Sequence, residues 1–294
     1  MFVVQLDLSL APVLRLELER RGYVFCTPPH TIFSASQAGV CCTLYCSGKL
    51  VIQGKKSQEL IEFYIEPELL QKLHAAENVE PHIGMDEAGK GDFFGPLCVA
   101  GLYASQEDIF FLQRLGIRDS KTVSDKQIAI FAEKIRQKLR YKILLLSPPT
   151  YNRLYEKIGN LNHLLAWAHT TVMEELVKKT GCSSVILDQF AHPSVVEKVV
   201  KSKNLTLNLV QKTQAEADVV VAGASILARD SFVRELDKLS QETGRTLPKG
   251  ASSLVLTTGA LLIQEKGKEI LPKICKMHFK SYKEVLEKAK GLSS

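Results

Sequence analysis

At 294 residues, with 45% hydrophobic and 24% charged side chains, the chain has the balance of a folded globular protein and room for one large domain or two smaller ones. No apolar run approaches the length of a membrane span. The apolar start, MFVVQLDLSLAPVL, carries Asp7 and no basic leader, so it reads as a first strand or helix and not as a signal peptide. The net charge of +6 is unevenly placed: the first 80 residues hold 7 Lys/Arg against 9 Asp/Glu, whereas the last 54 hold 10 against 5, which favours a polyanionic partner for the later part.

Residues 1–78 are expected to form a small α+β unit. Ser9 to Arg21 predicts a helix with Leu14 and Leu18 on one side, and Thr27-Pro28-Pro29-His30 breaks it. Thr31 to Ala35, Val40 to Cys46 and Lys49 to Gln53 are strand candidates, the last two joined by a Ser47-Gly48 hairpin signal. Ser57 to Leu73 predicts a helix, and the polar stretch His74 to Pro81 a linker. The seven cysteines, Cys26, Cys41, Cys42, Cys46, Cys98, Cys182 and Cys275, are odd in number and irregularly spaced, as expected of reduced thiols in the cytoplasm. Cys42 and Cys46 make half of a zinc pattern that no second half completes.

Residues 79–294 predict a larger mixed α/β domain. Ile83-Gly84-Met85 leads into two adjacent acids, Asp86 and Glu87, then the turn Gly89-Lys90-Gly91 and a second apolar strand from Gly95 to Tyr103. Short helical patterns follow at Phe110 to Ile117 and, with Ser124 as N-cap, at Ser124 to Arg140. Tyr141 to Leu146 predicts a strand that Ser147-Pro148-Pro149 ends. Asn162 to Lys179 predicts a long helix closed by Gly181. Ser184 to Leu187 reads as a buried strand ending in Asp188, Pro193 to Lys203 as a helix, and Leu205 to Val210 as a strand. Ala217 to Leu239 reads as a long helix with Glu216 and Asp218 at its N-terminus and a close-packing patch, Ala222-Gly223-Ala224-Ser225. Ser281 to Lys290 reads as a basic helix.

Acids at strand ends gather where α/β sheets build their sites. Several carboxylates in one place repel unless they bind cations, and oxygen ligands suit Mg²⁺ or Mn²⁺. Two such ions can activate water and stabilise the leaving oxygen of a phosphodiester. For a single acid the commoner role is a cap or surface ion pair. Gly84 to Lys90 also fits GxxxxGK, but Gly91 stands where Ser or Thr would hold the metal, and two acids inside the loop would repel a nucleotide. Among weaker candidates, Ser120-Lys121 could contact phosphate, His163 and His169 are poorly spaced for a metal, and His278 could face nucleic acid or be structural. Trp167, Phe93 and Phe94 read as core.

Seven ordered blocks carry a resemblance: GMDEAGKGDFFGPLCVAG, RDSKTVSD, YNRLYEKIGNLNHLLAWAH, VILDQF, GASILARDSF, LPKGAS and KMHFKS. Together they resemble bacterial ribonuclease HIII, a type 2 ribonuclease H. GKG in the first block and the hairpin LYCSGKLVIQGK in an extra N-terminal unit favour type HIII over HII. The resemblance implies a ribonuclease H-like mixed sheet flanked by helices, preceded by a small TATA-binding-protein-like domain that helps grip substrate. A monomer with no obligate protein partner is expected, although the sequence does not show the oligomeric state. The implied activity is endonucleolytic hydrolysis of RNA in RNA–DNA hybrids, with Mg²⁺ or Mn²⁺, leaving 5′-phosphate and 3′-hydroxyl ends. Asp86, Glu87 and Asp188 are then the metal-binding catalytic acids. Glu216 is the fourth by spacing, with Asp218 as its near competitor. Gly89, Lys90 and Gly91 contact the RNA strand, and Ser120 and Lys121 join them in substrate binding. A non-catalytic nucleic-acid-binding module is the alternative class; it explains the basic charge but not the converging acids.

Overall fold

The computed structural model describes residues 1–6, 8–61, 64, 65, 80–117 and 123–292. Contacts divide the chain into two compact units, Met1–Val79 and Glu80–Ser294.

The first unit is a five-stranded antiparallel sheet. Its strands β1 (Phe2–Gln5), β2 (Val24–Cys26), β3 (Thr31–Gln37), β4 (Val40–Tyr45) and β5 (Lys49–Gly54) lie in the order β1-β5-β4-β3-β2. Side chains alternate across a strand. Phe33, Ala35, Cys42, Leu44, Leu50 and Ile52 therefore share one face and bury against Leu14 and Leu18 of α1 (Ala11–Arg20). Small side chains occupy the other face, where the Ser34 and Thr43 hydroxyls meet at 2.8 Å across paired strands. Gly48, at φ +81°, makes the β4–β5 turn, and a Cβ there would fall 2.7 Å from the Leu6 carbonyl oxygen. Strand β1 lies in the apolar start, and β2 is too short to show a pattern in the sequence. Of the helix expected over Ser57 to Leu73, α2 (Ser57–Leu60) is present; most of the remainder, and most of the expected linker, lies outside the described residues.

The second unit is built on a mixed sheet of β6 (His82–Ala88), β7 (Leu97–Ala104), β8 (Arg140–Leu146), β9 (Ser184–Asp188) and β10 (Asn208–Lys212), in the order β10-β9-β6-β7-β8. Central β6 pairs antiparallel with β7 and parallel with β9. Helices pack on both faces, which is why β6, β7 and β9 read as apolar runs without alternation. Small residues set how closely they pack. Gly84 lies opposite Leu102, and a Cβ on Gly84 would fall 2.4 Å from the Val221 nitrogen of α8 (Val219–Thr243). One residue along, on the other face, Met85 lies opposite Gly101, whose Cβ would fall 2.6 Å from Leu176 of α6 (Leu161–Thr180). Gly223 completes the fit on the α8 side, where its Cβ would meet Leu102 at 2.6 Å.

Between these lie α3 (Gln106–Arg114), α4 (Asp125–Lys138), α5 (Pro148–Ile158) and α7 (Pro193–Ser202). Helix α3 starts earlier than its apolar pattern suggests because Ser105 and Asp108 form a capping box. Helix α5 forms where Pro148-Pro149 reads as a stop. Prolines are tolerated in the first helical turn, where N–H groups have no intrahelical acceptor. The C-terminal part adds α9 (Ser253–Lys266), α10 (Leu271–Ile274) and α11 (Lys280–Leu292). The sequence gives no clear sign of α9, whose Gly259 packs against Val285 of α11. Phe93 and Phe94 are fully buried in this region's core, edge to face at 4.9 Å.

Candidate active site

Strand β6 delivers the first two acids to opposite faces of the sheet. Asp86 shares the α8 side with Gly84: it accepts a hydrogen bond from the Ser225 side chain of α8 and one from the Glu87 N–H at 2.7 Å. Glu87 shares the α6 side with Met85, where Oε2 takes a 3.0 Å bond from His169 Nε2 and Oε1 meets Lys90 Nζ at 3.3 Å. Register brings the third acid beside them, since Met85 pairs with Leu187 and Asp188 follows at the end of β9. Asp188 Oδ1 accepts the Ala215 N–H at 2.9 Å.

The structure separates the two competitors for fourth acid. Glu216 lies in a single 3-10 turn, Ala215–Ala217, before α8 begins, and lines the same cleft of about 610 Å³ as Asp86, Glu87 and Asp188. Asp218 instead caps α8, accepting from the Val220 and Val221 N–H groups, and takes a 3.1 Å bond from His82. The helix expected from Ala217 thus starts two residues later, at Val219, behind its own cap, and runs on to Thr243.

The electrostatics are those of crowded acids. Burial, then the Glu87 charge and more weakly Asp188, push the Asp86 carboxyl up to about 7, against the opposing Ser225 and Glu87 N–H bonds. Burial would raise Glu87 too, but His169 and Lys90 outweigh it and hold its pKa below the usual carboxylate value. Among the described residues no three His, Cys, Asp or Glu side chains stand at metal-ligating spacing. In the bonds above, Asp86, Glu87 and Asp188 turn oxygens onto protein donors. By donor chemistry the cleft fits a hard divalent cation: four carboxylates line it, and positive charge would favour the ionised form of the one whose pKa is pushed up. Asp86, Glu87, Asp188 and Glu216 are the residues that would hold it, exchanging those donors for the ion.

The glycine turn forms one wall of the cleft. Gly89 has φ +88°, and a Cβ there would fall 2.2 Å from the Pro96 carbonyl oxygen, so only glycine fits. Gly91 has open space on its Cβ side. Gly84 to Ala88 are strand, which removes the nucleotide-loop reading. Ser120 and Lys121 lie outside the described residues. His278 packs on Tyr155 at 4.2 Å and sits 3.3 Å from the Tyr151 hydroxyl. Burial and nearby Lys276 lower its pKa to about 4.

Several residues of this site escape sequence reasoning. His169 is fully buried, and nothing in its spacing to exposed His163 announces a bond to Glu87. Arg229 and Lys249 bring positive charge to the cleft, both bound to Asp125, at 2.9 and 2.5 Å. Arg229 follows Ser225 by one helical turn, a signal available in the sequence.

Comparison with known proteins agrees along the whole chain. Residues 83–282 match the family model described as Ribonuclease HII, and residues 1–76 match a domain of unknown function. A Ribonuclease HIII of Protochlamydia amoebophila is 48% identical over 292 residues, covering 98% of this chain and 97% of the relative. That of Chlamydia felis is 45% identical, covering 98% of each. Among solved structures, Bst-RNase HIII in complex with Mn²⁺ is 30% identical, with 99% of both chains covered and a TM-score of 0.69. Aquifex aeolicus RNase H3 is 25% identical over 95% of this chain, with a TM-score of 0.58. The chain belongs to the ribonuclease HIII family and is a divalent-cation-dependent ribonuclease H.

Proposed function

We propose that the cleft between β6, β9 and the 3-10 turn is where this ribonuclease H cuts the RNA strand of an RNA–DNA hybrid, leaving 5′-phosphate and 3′-hydroxyl ends. The observation that carries the assignment is the meeting of Asp86, Glu87, Asp188 and Glu216 in one cleft from segments more than a hundred residues apart. When bound, Mg²⁺ or Mn²⁺ supplies charge for the water nucleophile and the leaving 3′-oxygen. The four acids hold that charge in place. Arg229 and Lys249 attract the phosphate into the cleft, and exchange Asp125 for phosphate oxygens. The turn Gly89-Lys90-Gly91 brings its backbone to the RNA strand, with Gly91 open on the side where a 2′-hydroxyl can approach. Water attacks directly, with no covalent enzyme intermediate.

The N-terminal unit, residues 1–78, acts as the substrate-gripping domain. The protein works as a monomer in the cytoplasm without an obligate partner. The seven cysteines are all free thiols, which suits a reducing compartment.

The test is a labelled RNA–DNA hybrid incubated with and without Mg²⁺ or Mn²⁺, beside duplex DNA and single-stranded RNA. Asp86→Asn and Asp188→Asn should lower turnover by about 10³-fold or more while hybrid binding stays within a few fold. Full turnover in either variant removes the assignment, and binding without metal-dependent cutting favours the non-catalytic module.

A further inference from the structure

Lys276 is fully buried. Placing an ammonium in a protein interior is costly, and a methionine of similar length would fill the space without that penalty. The cost is visible in its pKa, which burial lowers to about 8 against the opposing pull of the Asp92 charge. Its Nζ donates to two main-chain carbonyls, those of Asp92 and Gly95, each at 2.8 Å. These carbonyls bracket the stretch that carries the chain from the glycine turn back to β7.

The same stretch is fastened elsewhere by the main chain. The Lys276 N–H donates to Phe93 O and the Gly95 N–H to Ile274 O, both at 2.9 Å, and Phe94 bridges to Cys275. From a third segment, Gly250 accepts the Phe93 N–H at 2.9 Å and donates to Asp92 Oδ1 at 2.6 Å. Asn152 of α5 anchors this strap from behind, donating to the Pro272 and Cys275 carbonyls and accepting the Met277 N–H. Within the turn itself, the Asp92 N–H reaches Gly89 O only at 3.4 Å. The segment that follows the turn, Asp92 to Gly95, is therefore fastened from outside, by residues 250 and 274–276.

We propose that Lys276 is a positioning residue for substrate recognition: with the strap 274–276 it fixes Asp92 to Gly95, so that Gly89-Lys90-Gly91 meets the RNA strand in a single conformation. This rests on the reading of that turn as the RNA contact.

The experiment compares full-length wild type with Lys276→Met, Asn152→Ala and Gly91→Val, using steady-state kinetics on the hybrid, Mn²⁺ titration calorimetry without substrate, and amide hydrogen exchange at Phe93 and Gly95. Lys276→Met should raise KM about tenfold with kcat within about threefold, leave Mn²⁺ binding unchanged and speed exchange at both amides; Asn152→Ala should move KM and exchange the same way by less. A folded Lys276→Met with wild-type KM overturns the proposal. So does a fall in kcat and Mn²⁺ affinity equal to the rise in KM, which marks a general structural role. If Lys276→Met does not fold, Asn152→Ala decides, and an unchanged KM there overturns the proposal. Gly91→Val tests the underlying reading separately: an unchanged KM shows that the turn does not meet RNA, even where Lys276→Met loosens it.

Discussion

Glu87 is held at both oxygens, by His169 from the core and by Lys90 from the turn. His169 Nδ1 is buried without a partner, so the proton shared with Glu87 sits on Nε2. The ring also stacks on Phe190 at 5.1 Å, two residues beyond Asp188, and that packing fixes its direction. Removing the donor leaves a buried carboxylate one bond short. His169→Leu should therefore weaken Mn²⁺ binding by about 10–100-fold and turnover with it, and His169→Gln should recover most of the loss. Calorimetric Mn²⁺ titration of the substrate-free protein checks this; wild-type affinity in the leucine variant would show that Glu87 needs no such support. At this scale, legibility tracks backbone chemistry. Asp86 and Asp188 stand out in the sequence because each ends an apolar strand. Glu216 leads Asp218 there by spacing alone, since either could follow β10. Only the cap bonds to Val220 and Val221 show that Asp218 is spent on the helix. His169 is illegible because its partner is 82 residues away.

Among elements, the approach of α8 to β6 matters most for the site. Gly84 and Gly223 let the helix lie close enough for Ser225 to reach Asp86. The small-residue patch is readable in advance, but its partner glycine in β6 is not, because a lone glycine in a strand fits several roles. The joint is locked at one end by His82 and Asp218. Burial would lower the His82 pKa, but the Asp218 bond and charge and the Glu80 carbonyl raise it above 6.5. Burial would raise Asp218, and His82 with the cap bonds lowers it below 3.8. The His82 contribution to stability is thus complete below about pH 6.5 and lost as pH rises through its raised pKa. The Asp218 contribution is present above about pH 4 and lost as pH falls through its depressed pKa. Urea denaturation between about pH 6 and 8.5 should show the wild type losing on the order of 1 kcal/mol more stability than His82→Gln. Parallel curves for the two would mean that the pair contributes nothing.

For the whole molecule, the charge asymmetry acquires a place. The first unit, residues 1–79, holds 7 Lys/Arg against 8 Asp/Glu and carries an open groove of about 810 Å³ walled by Val24, Ser36, Gln37 and Cys41. Such a surface can grip a duplex by shape and hydrogen bonds, but adds little counterion release. Deleting residues 1–78 should therefore raise KM for the hybrid about tenfold or more, lower kcat far less, and leave the salt dependence of KM nearly unchanged. Each unit has its own core, so the shortened chain remains a fair test of kcat. An unchanged KM removes the gripping role.

The wiring of the second unit also orders events during synthesis. Residues of the first unit leave the ribosome before any of the nuclease, and domains fold as units from the N-terminus. Strand β6 must wait for β9 and its Asp188, and the glycine turn must wait for Lys276. A growing chain therefore completes its first unit long before the cleft is assembled, and the nuclease is whole only when the last fastening segment emerges.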